Sequence, residues 1–96
     1  MAAKHSLAAA LRTVRKARRL SQEAFSDVSS RTYLSVLERD LKSPTLSKLT
    51  DICEVLRVHP VTLLVLAYSE GAPDGAQSVL NEVMEELREL RESSEI

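Results

Sequence analysis

Residues 21–39 hold two short amphipathic stretches separated by a joint of a few residues, and that feature narrows the possible folds more than any other. The first stretch opens at Ser21, a good helix N-cap, with Glu23 in the first turn where the helix dipole favours an acid. Ala24, Phe25 and Val28 form its apolar face. The second starts near Ser30, another capping residue, and sets Leu34 and Leu37 inward while Arg31, Thr32 and Ser35 fall on a different side. The joint, Asp27-Val28-Ser29-Ser30, contains no glycine.

The flanking segments supply neighbours for these two helices. The spacing predicts a first helix from about Ser6 to Arg18, with Leu7, Leu11 and Val14 on one face. Pro44-Thr45 begins a fourth helix with an inward stripe of Leu46, Leu49, Ile52, Cys53 and Leu56. His59-Pro60 begins a fifth, with His59 as its cap and proline at the first helical position. Val61 to Tyr68 of that helix are apolar on nearly every side, so it must be covered on both faces, either by a second copy of the chain or by the C-terminal segment. Only 3% of the residues are aromatic and Leu, Ala, Arg, Glu and Ser dominate, a mixture that favours helix over sheet.

The expected fold is therefore all-α: a five-helix body over residues 1–69, a linker at 70–75, and an amphipathic acidic helix at 76–96. Two glycines, a proline and two acids between Glu70 and Gly75 cannot continue a helix. Beyond them, Ala76, Leu80, Val83, Leu87 and Leu90 alternate at spacings of four and three, a heptad seam. The seam suits pairing with its twin, folding onto the fifth helix, or gripping another protein.

Charge divides the chain at the linker. Residues 1–69 carry eleven Lys and Arg against six Asp and Glu, and residues 70–96 carry two against eight. A net charge of −1 thus hides a body suited to a polyanion and a tail that does not face it. The single cysteine, Cys53, rules out an intrachain disulfide and fits a reducing compartment. The N-terminus lacks a secretory pattern and the apolar run 61–68 is too short to span a bilayer, so a cytoplasmic location without membrane association is expected. His5 and His59 have no second ligand at metal spacing, and no nucleophile-elbow or phosphate-loop pattern occurs, so neither a metal, another cofactor nor enzymatic activity is expected.

The outward side of the second short helix has the chemistry to read base edges in the major groove of double-stranded DNA. Arg31 can donate two hydrogen bonds to guanine, Thr32 offers a hydroxyl and a methyl, and Ser35 fits either a base edge or a phosphate. Arg39, Lys42 and Ser43 follow that helix, where flanking phosphates would lie. Lys16, Arg18 and Arg19 form a basic run that suits the C-terminal end of the first helix, with direct contact to DNA as the alternative.

These residues carry a resemblance. Arg15, Leu20-Ser21-Gln22-Glu23, Ser30-Arg31-Thr32-Tyr33-Leu34-Ser35, Leu37-Glu38-Arg39, Ser43-Pro44-Thr45-Leu46, Leu49 and Leu56-Arg57-Val58-His59-Pro60 stand in the order and spacing of the phage repressor/Cro-like helix-turn-helix family, also called the xenobiotic-response-element type. The resemblance covers roughly residues 7–68 and implies a lambda-repressor-like DNA-binding domain. It implies that Gln22 touches a phosphate and braces the recognition helix, and that Arg15 and Glu38 form an internal salt bridge. Ser21, Ser30 and Tyr33 join Gln22, Arg39, Lys42 and Ser43 as expected phosphate contacts; for Tyr33, core packing is an equal reading. The joint is about two residues shorter than is usual in the family and lacks its glycine, which puts the angle between the helices in question.

One recognition helix spans too few base pairs for specificity, so a homodimer on a palindromic operator is expected, most simply a repressor. Its interface is expected at Val61, Leu64, Val65 and Tyr68 of the fifth helix and at Leu80, Val83, Leu87 and Leu90 of the seam. The alternative is an antitoxin-like or adaptor protein whose C-terminal helix binds a protein partner.

Overall fold

The computed structural model describes residues 6–27, 31–39, 41–69 and 73–94, without the side chains of Arg31, Thr32 and Ser94. The described residues are helical with no strand. Helices α1 (Leu7–Ala17), α2 (Arg31–Glu38), α3 (Leu46–Leu56), α4 (Pro60–Tyr68) and α5 (Ala76–Ser94) are joined by one-turn 3₁₀ segments at Gln22–Phe25 and Pro73–Gly75. Helix α1 lies against α2 and α4, and α3 against α4 and the first 3₁₀ turn. The core they enclose contains Leu11, Val14, Phe25, Leu34, Leu37, Leu49, Ile52, Leu56 and Leu63. The Ser6 amide ties the start of α1 to the Ala67 carbonyl of α4 at 2.7 Å.

Local capping accounts for where the helices begin. Ser6 Oγ accepts from the Ala9 amide (3.2 Å), Thr45 Oγ1 from Lys48 (3.1 Å) and His59 Nδ1 from Val61 (3.0 Å). Their ends are less expected. Both α1 and α3 close with a left-handed residue that is not glycine, Arg19 at φ 58° and Arg57 at φ 61°. After each, the next amide reaches back across the turn: Leu20 to the Arg15 carbonyl (3.0 Å) and Val58 to that of Cys53 (3.2 Å). Arg18 was expected to serve the end of α1. It serves α3 instead, donating Nε to the Leu56 carbonyl (3.0 Å) and Nη2 to that of Arg57 (3.2 Å). A left-handed arginine is costlier than a glycine there. Arg57→Gly is expected to raise stability by about 0.5–1 kcal/mol, read as a higher urea midpoint with an unchanged slope.

Two core expectations fail for geometric reasons. The second predicted helix is a single 3₁₀ turn, and Ser21 makes no side-chain cap on it. With three residues per turn rather than 3.6, the face that buries Phe25 no longer includes Ala24, which is exposed. Val28, the third residue of that face, lies outside the described residues. Leu46 is 72% exposed because it sits in the first turn of α3, beyond the core stripe Leu49, Ile52, Cys53 and Leu56. It borders a groove with Leu7, Pro44, Leu64 and Tyr68 instead.

The root of α5 packs back on α4. A groove of about 340 Å³ lies between them, lined by Val61, Val65, Leu66, Pro73, Ala76 and Leu80. The approach is tight at Gly75, where a Cβ would stand 3.2 Å from that of Ser69. Thereafter α5 is exposed, and the molecule is 48 Å long. Cys53 is buried, which pushes its thiol up to about 11 and keeps it protonated at neutral pH. Among the described residues no helix is long and apolar enough to cross a membrane.

Candidate nucleic-acid interface

Helix α2 is anchored from within by two leucines. Leu34 is 0% exposed and Leu37 1%, a helical turn apart on one face. Its remaining fixings converge on its C-terminal end, at Glu38, a carboxylate residue only 5% exposed. Arg15 of α1 grips that carboxylate with both prongs of its guanidinium, Nε to Oε2 at 2.5 Å and Nη2 to Oε1 at 2.9 Å. The hydrogen bond to Glu38 raises the Arg15 pKa further, which keeps the guanidinium charged. The third nitrogen of Arg15 donates to the Leu20 carbonyl at 3.0 Å. One side chain thus joins the entrance of the two-helix unit to its exit.

Two more donors complete the cluster. Gln22 Nε2 reaches Glu38 Oε1 at 3.2 Å, so the residue opening the 3₁₀ turn braces α2 directly. Arg12 Nη1 donates to the Glu38 main-chain carbonyl, placing a cation at the negative end of the α2 dipole. Sequence reasoning missed Arg12. Its signal was available: Arg12 and Arg15 lie three residues apart and share a face of α1.

The predicted contact residues are spread from Ser21 to Ser43, on both sides of α2 in the chain. Ser35 is half-buried and its carbonyl accepts from Arg39 Nε at 3.4 Å. Arg39, Lys42 and Ser43 are exposed, and Ser21 is exposed at the start of the 3₁₀ turn. Ser30 and the side chains of Arg31 and Thr32 lie outside the described residues. Tyr33 is half-buried and packs against the core, and its ring lies 5.9 Å beneath Lys48 Nζ. Lys48 was not foreseen; it brings α3 a cation beside α2 that only the folded arrangement reveals.

The expected interface residues do not form one continuous surface. Val61 and Tyr68 are exposed, Leu64 is half-buried and Val65 is buried. Leu64 and Tyr68 border the groove beside α3, while Val61 and Val65 border the one beside α5. On α5, Leu80, Val83, Leu87 and Leu90 are all exposed.

No curated protein and no solved structure matches the chain. The model of a helix-turn-helix family matches residues 11–63, which takes in α1 from Leu11 onward, the 3₁₀ turn, α2, α3 and the first turn of α4. The chain belongs to the helix-turn-helix family of the xenobiotic-response-element type, Cro/C1-like, and is a DNA-binding transcription regulator.

Proposed function

We propose that the protein is a homodimeric repressor that sets α2 in the major groove of each half of a palindromic operator. One observation carries this reading above the others: the Arg12, Arg15, Gln22 and Glu38 cluster holds α2 at its C-terminal end while Leu34 and Leu37 hold its inner side. A helix fixed in that way can present its N-terminal residues as a rigid unit. Arg31, Thr32 and Ser35 read bases in this account. Ser21, Gln22, Ser30, Tyr33, Arg39, Lys42 and Ser43 hold phosphates, and these contacts set register and orientation. The dimer forms through the exposed faces of α4 and α5.

Selection of bound duplexes from a random pool tests this. Two inverted half-sites centred about one helical turn, roughly 34–36 Å, apart are expected. Arg31→Ala should relax the preference at one position of each half-site, at a cost of about 1–3 kcal/mol per contact, and leave the others intact. Enrichment of a single undivided site, or an Arg31→Ala consensus identical to that of the parent, would overturn the reading.

A further inference from the structure

The outer two-thirds of α5 present an apolar seam to solvent, and the residues beside that seam specify its occupant. With Leu80 and Leu87 at heptad position a, Val83 and Leu90 fall at d. Glu86 then stands at g and Arg91 at e, five residues on, while Val79 and Met84 hold the previous g and e. Glu82, Glu85, Glu89, Arg88 and Glu92 occupy outer positions, where Glu85 and Arg88 pair with each other within the helix.

We propose that α5 pairs in parallel with α5 of a second copy, held in register by Glu86 against the partner's Arg91; this rests on the homodimer reading above. In a parallel pair, position g of one helix meets the following e of the other. Both Glu86–Arg91 contacts then join opposite charges, and Val79 meets the partner's Met84. Antiparallel pairing that matches Leu80 with the partner's Leu90 sets g beside g instead. It would bring Glu86 against the partner's Glu86. The chain therefore supplies both halves of a self-complementary pattern, which a basic partner protein would not need. Nineteen residues make a helix about 28 Å long. A seam of that length is marginal alone, and the apolar groove at its root, with Val61 49% exposed, continues the surface that a second copy would cover.

Two measurements on the full chain test the pairing. Spin labels on Ser93→Cys should lie within about 20 Å of each other in a parallel dimer, whereas the antiparallel register separates the two positions by about 24 Å along the axis alone, given a rise of 1.5 Å per residue. The buried Cys53 stays unlabelled. In sedimentation equilibrium, Glu86→Arg and Arg91→Glu should each weaken dimerisation roughly tenfold, and the double exchange should restore it, because two attractions become two repulsions and then attractions again. Distant labels in a two-chain species, or an exchange without recovery, would overturn the parallel pairing while leaving the homodimer intact. A chain that stays monomeric at all concentrations would overturn both, and would leave the seam to a different protein.

Discussion

Arg15→Ala is expected to lower folding stability by about 3 kcal/mol and to weaken DNA binding although Arg15 stands behind the recognition helix. The substitution removes both bonds to a carboxylate that has almost no access to water. Gln22 Nε2 remains as a donor to that carboxylate and Arg12 as a donor to the neighbouring carbonyl. Neither supplies the charge that Arg15 did at the carboxylate, so Glu38 must be stripped of a counter-charge, take up a proton, or pull the end of α2 toward solvent. The last two outcomes shift the helix that we propose faces DNA. Replacing the pair together, Arg15→Met with Glu38→Leu, should recover most of the stability, since well-packed apolar groups replace buried ion pairs at little cost. It should not recover binding, because the directional clamp between Leu20 and Glu38 is gone. Urea unfolding and duplex titration of the two variants separate these effects. Unchanged affinity in Arg15→Ala would show that the clamp does not position α2.

A second large effect is expected at Phe25. It is 1% exposed, the only phenylalanine in the chain, and the anchor of the 3₁₀ turn. Phe25→Ala should cost about 3–5 kcal/mol through lost transfer free energy and the cavity left behind. In a domain of this size that is half or more of the total, so a large unfolded fraction is expected at 37 °C. Leu46→Ala also truncates a large side chain that the hydrophobic pattern marked as core, yet it should change stability by less than about 0.5 kcal/mol, because that side chain is largely solvated. Circular dichroism melts of the pair discriminate packing from pattern: equal losses would contradict the assignment of Leu46 to the surface.

Leu46 and Ala24 show how far the sequence could be read. The 3.6-residue period located α1, α2, α3 and α4, because each places several leucines or valines on one face, and α1, α3 and α4 begin at a side chain that caps them. It failed where a helix is too short to sustain that period. A single 3₁₀ turn rotates Ala24 outward, and the first turn of α3 overhangs the core at Leu46. Helix ends were obscured for a different reason. Arg19 and Arg57 hold left-handed positions that glycine would have advertised.

The candidate site was legible in proportion to how local it is. Arg15, Gln22 and Glu38 could be named because the spacing around them resembles a known family, and the structure brings all three together. Arg12 and Lys48 were not, since their roles depend on α1 and α3 being folded beside α2. Arg18 was misassigned on the same ground: its basic run suits the end of its own helix, but the nearest open carbonyls belong to α3.

The proposed function requires that the positive body of the chain, and α2 within it, meet a DNA duplex. The direct measurement is affinity for the selected duplex as salt is varied, for the parent chain and for Lys42→Ala. For the parent, the logarithm of the association constant should fall linearly with the logarithm of salt, with a slope of several units, about 0.9 for each phosphate neutralised. Lys42→Ala should reduce that slope by about one and weaken all sequences alike. A flat response to salt, unaltered by the substitution, would contradict the claim that this surface binds DNA.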